Sequence, residues 1–223
     1  MARNKIYGEK LKEAFRKYMQ TGGFPLSIID YYRFKRVSLQ TIRTYLNWMR
    51  GDWHRVGKSE KYMKEVISYI LRARGTPISW NGIASETGIN SPHTVKSYVE
   101  VLEDMFVAKV LHFIAPNMKV MYRKNKKVHF TDPLIYRVFG EYTEEKVDED
   151  SLYEGVVASI LGRKCPVFYW RNSTEVDVVC RIDHSLIGFE VASGLKRWSK
   201  PRFLRKAYLL DKNTMPLILS ALD

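Results

Sequence analysis

Three carboxylates near the end of the chain are the side chains from which chemistry is most readily built. Asp177 and Glu190 lie in TEVDVVCRIDHSLIGFEVASG, residues 174–194, and Glu154 lies in SLYEGVVASILG just before it. EVDVVCRI and LIGFEVASG read as strands joined by the turn DHS. Side chains alternate along a strand, so Glu175 and Asp177 share one face while Val176 and Val178 take the other. By the same rule Glu190 and Ala192 point together. The hairpin therefore sets Asp177 beside Glu190, and Glu154 approaches from the edge of its helix's apolar arc. Carboxylates that share a pocket repel unless a cation joins them, and Mg²⁺ prefers such oxygens. Asp177 and Glu190 are the expected ligands, and Mg²⁺ at that pair is the one cofactor the pattern suggests. The plainer alternative is a pair of ordinary strand carboxylates.

The elements that must hold these acids form a small α/β layer over residues 151–223. Helix 151–162 precedes the strand CPVFYW, the turn RNST and the two acidic strands. LKRWSKPRFLRKAYLL then reads as a helix and MPLILSAL as a strand, which gives a mixed sheet.

The front of the chain is helical and basic. GEKLKEAFRKYMQ and SLQTIRTYLNWMR carry apolar residues at helical spacing, with Gly22 and Gly23 stopping the first. GDWHRVGKS, residues 51–59, superficially suggests a phosphate-binding loop. Its Gly-to-Gly-Lys spacing is one residue too long and a helix, not a strand, precedes it, so the segment reads as an interhelical loop with no ATP site. EKYMKEVISYILRARG, ISWNGIASETG and SPHTVKSYVEVLEDM follow as helix, short helix and longer helix, with Ser91 the expected N-cap and Pro92 in the first turn. That order is a helix-turn-helix. FVAKVLHFIAP and NMKVMYRKNKKVHFTD read as two strands around a basic loop, the wing of a winged helix. On this reading Ser91, His93, Thr94, Lys96 and Ser97 face a DNA groove, while Lys119, Arg123, Lys124, Lys126 and Lys127 lie on phosphates.

Charge points to a polyanion or an acidic protein surface as partner. Basic residues outnumber acidic ones 13 to 4 over residues 1–58 and 11 to 6 over 59–130, but stand at 13 to 14 over 131–223. The two cysteines, Cys165 and Cys180, lack the spacing of a zinc site or a disulfide framework, and the five histidines are scattered. No stretch approaches the roughly 18 apolar residues of a membrane span, so a cytoplasmic protein with no membrane partner is expected. Four segments result: a helical piece (1–58), a winged helix (59–130), a connecting helix with an acidic linker (131–150) and the α/β layer (151–223).

A helix glutamate, a strand aspartate and, about a dozen residues on, a strand glutamate resemble the PD-(D/E)xK nuclease superfamily. YWRNSTEVDVV and FEVASG resemble, more narrowly, the nuclease-like domain that ends many archaeal and bacterial AAA-type ATPases. AFRKYMQTGGFPLSII is similar to the lid segment of those ATPases. HTVKSYVEVLEDMFVAKVL followed by KKVHFTDPLIYRVF is similar to their winged helix. The resemblance implies an α+β or α/β fold, with an N-terminal helical segment and winged helix-turn-helix followed by a nuclease-like mixed-sheet domain. It also implies an ATPase core as partner, in the same gene product or separate.

Glu154, Asp177 and Glu190 map onto the superfamily's acids, but Ala192 stands where its lysine would. In active members that lysine positions the attacking water and offsets charge on the scissile phosphate. The favoured expectation is a DNA-associated regulatory or targeting module whose nuclease-like domain is inactive. The alternatives are a Mg²⁺-dependent endonuclease with Lys196 as a migrated lysine, and a protein-interaction module that binds no DNA.

Overall fold

The computed structural model describes residues 7–192 and 198–221. Helices α1 (Gly8–Thr21), α2 (Pro25–Phe34) and α3 (Leu39–Arg55) open the chain. Pro25 starts α2, and the Ser38 hydroxyl caps α3 by accepting the Thr41 N–H. Most of GDWHRVGKS belongs to α3: Gly51–Arg55 are helical and Trp53 is fully buried. Lys58 donates to the Ser97 hydroxyl (2.8 Å) and lies 4.8 Å from the centre of the Tyr98 ring.

Helices α4 (Glu60–Ala73), α5 (Trp80–Glu86) and α6 (Pro92–Asp104) form the helix-turn-helix. Val66, Ile67, Ile83, Val95 and Leu102 interlock in its core. The expected two-stranded wing is four strands in two sheets. β1 (Ala108–Leu111) pairs antiparallel with β4 (Lys127–Phe130), whereas β2 (Phe113–Ile114) and β3 (Val120–Met121) leave that ribbon. β2 runs parallel to β5 (Val167–Arg171), so the wing becomes one edge of the large sheet. That sheet has the order β3-β2-β5-β6-β7-β8, with β6 Glu175–Ile182, β7 Ser185–Val191 and β8 Lys206–Leu210.

Between ribbon and sheet lie α7 (Pro133–Thr143) and α8 (Glu149–Leu161). Helix α7 is central, with Leu134, Ile135, Val138 and Phe139 fully buried, and only residues 144–148 separate it from α8. The front core runs without a break from α1 to Val156 of α8, so the acidic stretch is a tight connection inside one packed body. Asp132 binds the front to this centre. Its carboxylate accepts the N–H groups of Leu134 (2.8 Å) and Gly23 (2.9 Å) and the Tyr18 hydroxyl (3.2 Å).

The chain end reverses the expected order. AYLL is strand β8, parallel to β7, with Tyr208 stacked on Phe189, and MPLILS is helix α9 (Met215–Ser220). Pro216 occupies the first turn of α9, and Asp211 Oδ1 accepts the Thr214 N–H ahead of it, which are helix-start features that the apolar run concealed. The cysteines also depart from expectation. Cys165 and Cys180 form a disulfide, because β5 and β6 bring their Cα atoms to 5.8 Å. No described helix is long and apolar enough to cross a membrane.

Helix α8 lies hard against β4 at Gly155, where a Cβ would stand 2.6 Å from the Phe130 carbonyl oxygen. Gly155→Ala is expected to cost about 1–3 kcal/mol, since neither backbone can yield cheaply. A urea unfolding midpoint equal to the wild type would show the contact to be slack.

Candidate functional site: a lysine among the carboxylates

The strand β4 has both faces covered, so all four of its residues are buried. Val128 and Phe130 enter the front core, and alternation turns Lys127 and His129 the other way, toward α8 and β6. Lys127 is only 2% exposed. Its ammonium donates to Asp177 Oδ1 (2.8 Å) and Glu154 Oε2 (2.9 Å). Glu175 Oε1 is also 2.9 Å away, an ion pair whose angle is too oblique for a hydrogen bond. The missing cation of the carboxylate cluster is thus Lys127, delivered from the ribbon.

A β-bulge aims the acids. The β5–β6 register slips between Phe168 and Trp170, so β6 holds one extra residue opposite β5. As a result Val176 and Val178 pack into different cores, on opposite sides of the sheet, and Asp177 joins Val178 on the α8 side. The simple alternation expected for β6 fails there. Phe189 and Val191 also lie in the core under α8, which turns Glu190 between them to the other face. Its Oε2 accepts the Asp177 backbone N–H at 3.3 Å, and Asp177 Oδ2 accepts the Val191 N–H at 2.9 Å. Side-chain oxygens thereby replace ladder hydrogen bonds where the two strands part.

These contacts bear directly on the expected Mg²⁺ site at Asp177 and Glu190. One Asp177 oxygen is engaged by an ammonium and the other by a backbone N–H, and Glu190 is directed elsewhere. Among the described residues no group of three or more His, Cys, Asp or Glu side chains is arranged to hold a metal ion. The donor set does not fit Mg²⁺ as arranged. Lys196, expected as the migrated lysine, lies outside the described residues.

Burial tunes the remaining groups. The Glu154 carboxyl is raised to about 8, first by burial and then by the Asp177 charge, against the pull of Lys127. Burial alone would lower Lys127, but Asp177, Glu154 and Glu175 outweigh it and raise the ammonium above its ordinary value. His129 is pushed down to about 3 by burial and by the Lys127 charge, so its 3.6 Å approach to Glu154 is that of a neutral imidazole, too long for a hydrogen bond. Gly75, with φ +73°, closes over the cluster, and a Cβ there would meet Glu154 Oε2 at 2.9 Å.

Of the expected DNA contacts, His93, Thr94, Lys96, Lys119, Arg123 and Lys124 are exposed. Ser91 and Ser97 are half-buried, and Ser97 is taken by Lys58. Lys96 also pairs with Glu100 at 2.9 Å. Lys126 and Lys127 are buried and cannot lie on phosphates as expected. Lys126 packs 5.2 Å from the centre of the Trp80 ring, where Ile78 and Lys126 exchange two backbone hydrogen bonds of 2.8 Å. Glu175 and His129 are the residues of the cluster that sequence reasoning passed over, and Lys127 was expected on phosphates instead. The available signal was the demand of three acids, one on an apolar helix and two on an apolar strand, for a cation.

Removing that cation strands the acids. Lys127→Met is expected to cost about 3–5 kcal/mol at neutral pH, the loss typical of breaking a buried pair from one side. Denaturant melts that match the wild type would contradict this. Glu154 carries a separate pH signature. Its pKa is higher folded than unfolded, so its contribution to stability is fully present below about 4.5, is lost as pH rises through about 8, and is flattened in Glu154→Gln. The stability difference between wild type and Glu154→Gln, measured by urea unfolding from pH 4 to 9, should trace that window, and a pH-independent difference would refute it.

No curated protein and no solved structure matches this chain. A family model, a domain of unknown function named DUF8612, matches residues 12–144, from α1 through α7. The span includes Lys127 and His129 but stops short of Glu154, Glu175 and Asp177. Because the match covers more than half of the chain, this protein belongs to the DUF8612 family.

Proposed function

We propose that the chain is a DNA-associated regulatory or targeting module whose carboxylate cluster is a structural lock and not a catalytic centre. The observation that carries the reading is the Lys127 ammonium, held within 2.9 Å of Glu154, Glu175 and Asp177 and shut from solvent. A catalytic lysine must face a phosphate, and these acids must face a metal. Here they face one another. The partner in this reading is DNA, contacted through its backbone by Lys96, Lys119, Arg123 and Lys124. An AAA-type ATPase core is the second partner, and rests on the sequence resemblance alone. A cytoplasmic location belongs to the same reading.

Two measurements test it. Gel-shift affinity for duplex DNA should weaken steeply with salt. Lys119, Arg123 and Lys124 together changed to Glu should lose about tenfold or more, with the salt slope reduced by roughly two to three. Plasmid incubated with Mg²⁺ or Mn²⁺ should stay intact. Cleavage that disappears in Asp177→Asn would reinstate the endonuclease. Absence of any DNA binding would leave the protein-interaction reading.

A further inference from the structure

The wing tip carries an aromatic side chain that phosphate contact does not explain. Tyr122 is 67% exposed, next to the exposed Arg123 and Lys124 in the turn that follows β3, and the exposed Lys119 stands just before that strand. It occupies a hydrogen-bonded turn, closed by the Lys124 N–H donating to the Met121 carbonyl at 3.0 Å. The turn is anchored beyond its tip as well. The Tyr169 hydroxyl, on β5, donates to the Asn125 carbonyl (2.6 Å), and Lys126 is bridged to Ile78. The His112 ring packs near-perpendicular to Tyr122, at 4.9 Å between centroids and 68° between planes. One such neighbour covers at most one face of the phenol ring.

An exposed aromatic costs little to present when its backbone and ring are already held, and cations on both sides give it a charged partner. The π-face suits a nucleobase, but in duplex DNA the bases are already stacked on one another. An unpaired base offers its faces without the unstacking that insertion into a duplex would cost. Lys96 of α6 belongs to the same side of the molecule. Its charge lies near enough to His112 and Lys126 to add to the burial that lowers both.

Resting on the reading of the wing as a DNA contact, we infer that Tyr122 is a stacking platform for an unpaired base, and that the preferred ligand is duplex DNA bearing a single-stranded segment. Arg123, Lys124 and Lys119 hold the phosphates that flank the base, and α6 lies over the adjoining duplex.

The test uses the full chain and fluorescence anisotropy at one salt concentration. The probes are a blunt duplex and the same duplex with a single-stranded overhang. The overhang probe should bind roughly tenfold more tightly than the blunt duplex, and Tyr122→Ala should reduce it to the blunt-duplex level. Tyr122→Phe should retain the preference, because stacking requires the ring and not the hydroxyl. Equal affinity for the two probes, or an unchanged preference in Tyr122→Ala, would overturn this inference while leaving DNA binding intact. Failure to bind either probe would remove the reading it rests on, and the inference with it.

Discussion

A lysine ammonium withdrawn from water must find negative charge, and the rest of this structure is arranged around that requirement at Lys127. Its β4 strand is covered on both sides, so the side chain has no route to solvent. The acids come to it instead: Glu154 on α8, and Glu175 and Asp177 on β6, separated from Lys127 by 27 to 50 residues of sequence. Charges so buried are costly to desolvate, and their mutual attraction offsets that cost only with close geometry. The bulge in β6 and the close seat of Gly155 on β4 supply it.

This geometry joins what reads in sequence as separate segments. The helix-turn-helix ribbon supplies the cation, and the large sheet and its helix supply the anions. β2 and β3 extend the same sheet, and Asp132 fastens α1 and the turn after it to the start of α7. The family match follows one side of the joint, since it includes Lys127 and ends before the acids that balance it. The bonds from Tyr169 to Asn125 and between Lys126 and Ile78 also anchor the β3–β4 turn at the surface.

The consequence for chemistry lies in where the charges point. Acids disposed for a divalent cation leave oxygens converging on open space, but here Asp177 spends one oxygen on Lys127 and the other on the Val191 N–H. Glu154, raised to about 8, retains a proton through much of the neutral range, which lessens the negative charge the single ammonium must balance. The surface, in contrast, keeps its cations available at Lys119, Arg123 and Lys124.

The sequence by itself determined helix α1, the three helices of the helix-turn-helix, strand β6 from Glu175 to Ile182 and the clustering of Glu154 with Asp177. These follow from local periodicity, caps and turns, which need no knowledge of distant residues. Tertiary structure alone decided the rest. Lys127 sits in the basic run KNKKVH and reads as a phosphate contact of the wing, and only the packing of α8 and β6 over β4 reveals it as the core cation. The bulge that separates Asp177 from Glu190 arises from β5–β6 register, which alternation along a single strand cannot register. MPLILS and AYLL exchanged their expected roles because short apolar runs suit helix and strand alike until a neighbour, here β7, claims one of them.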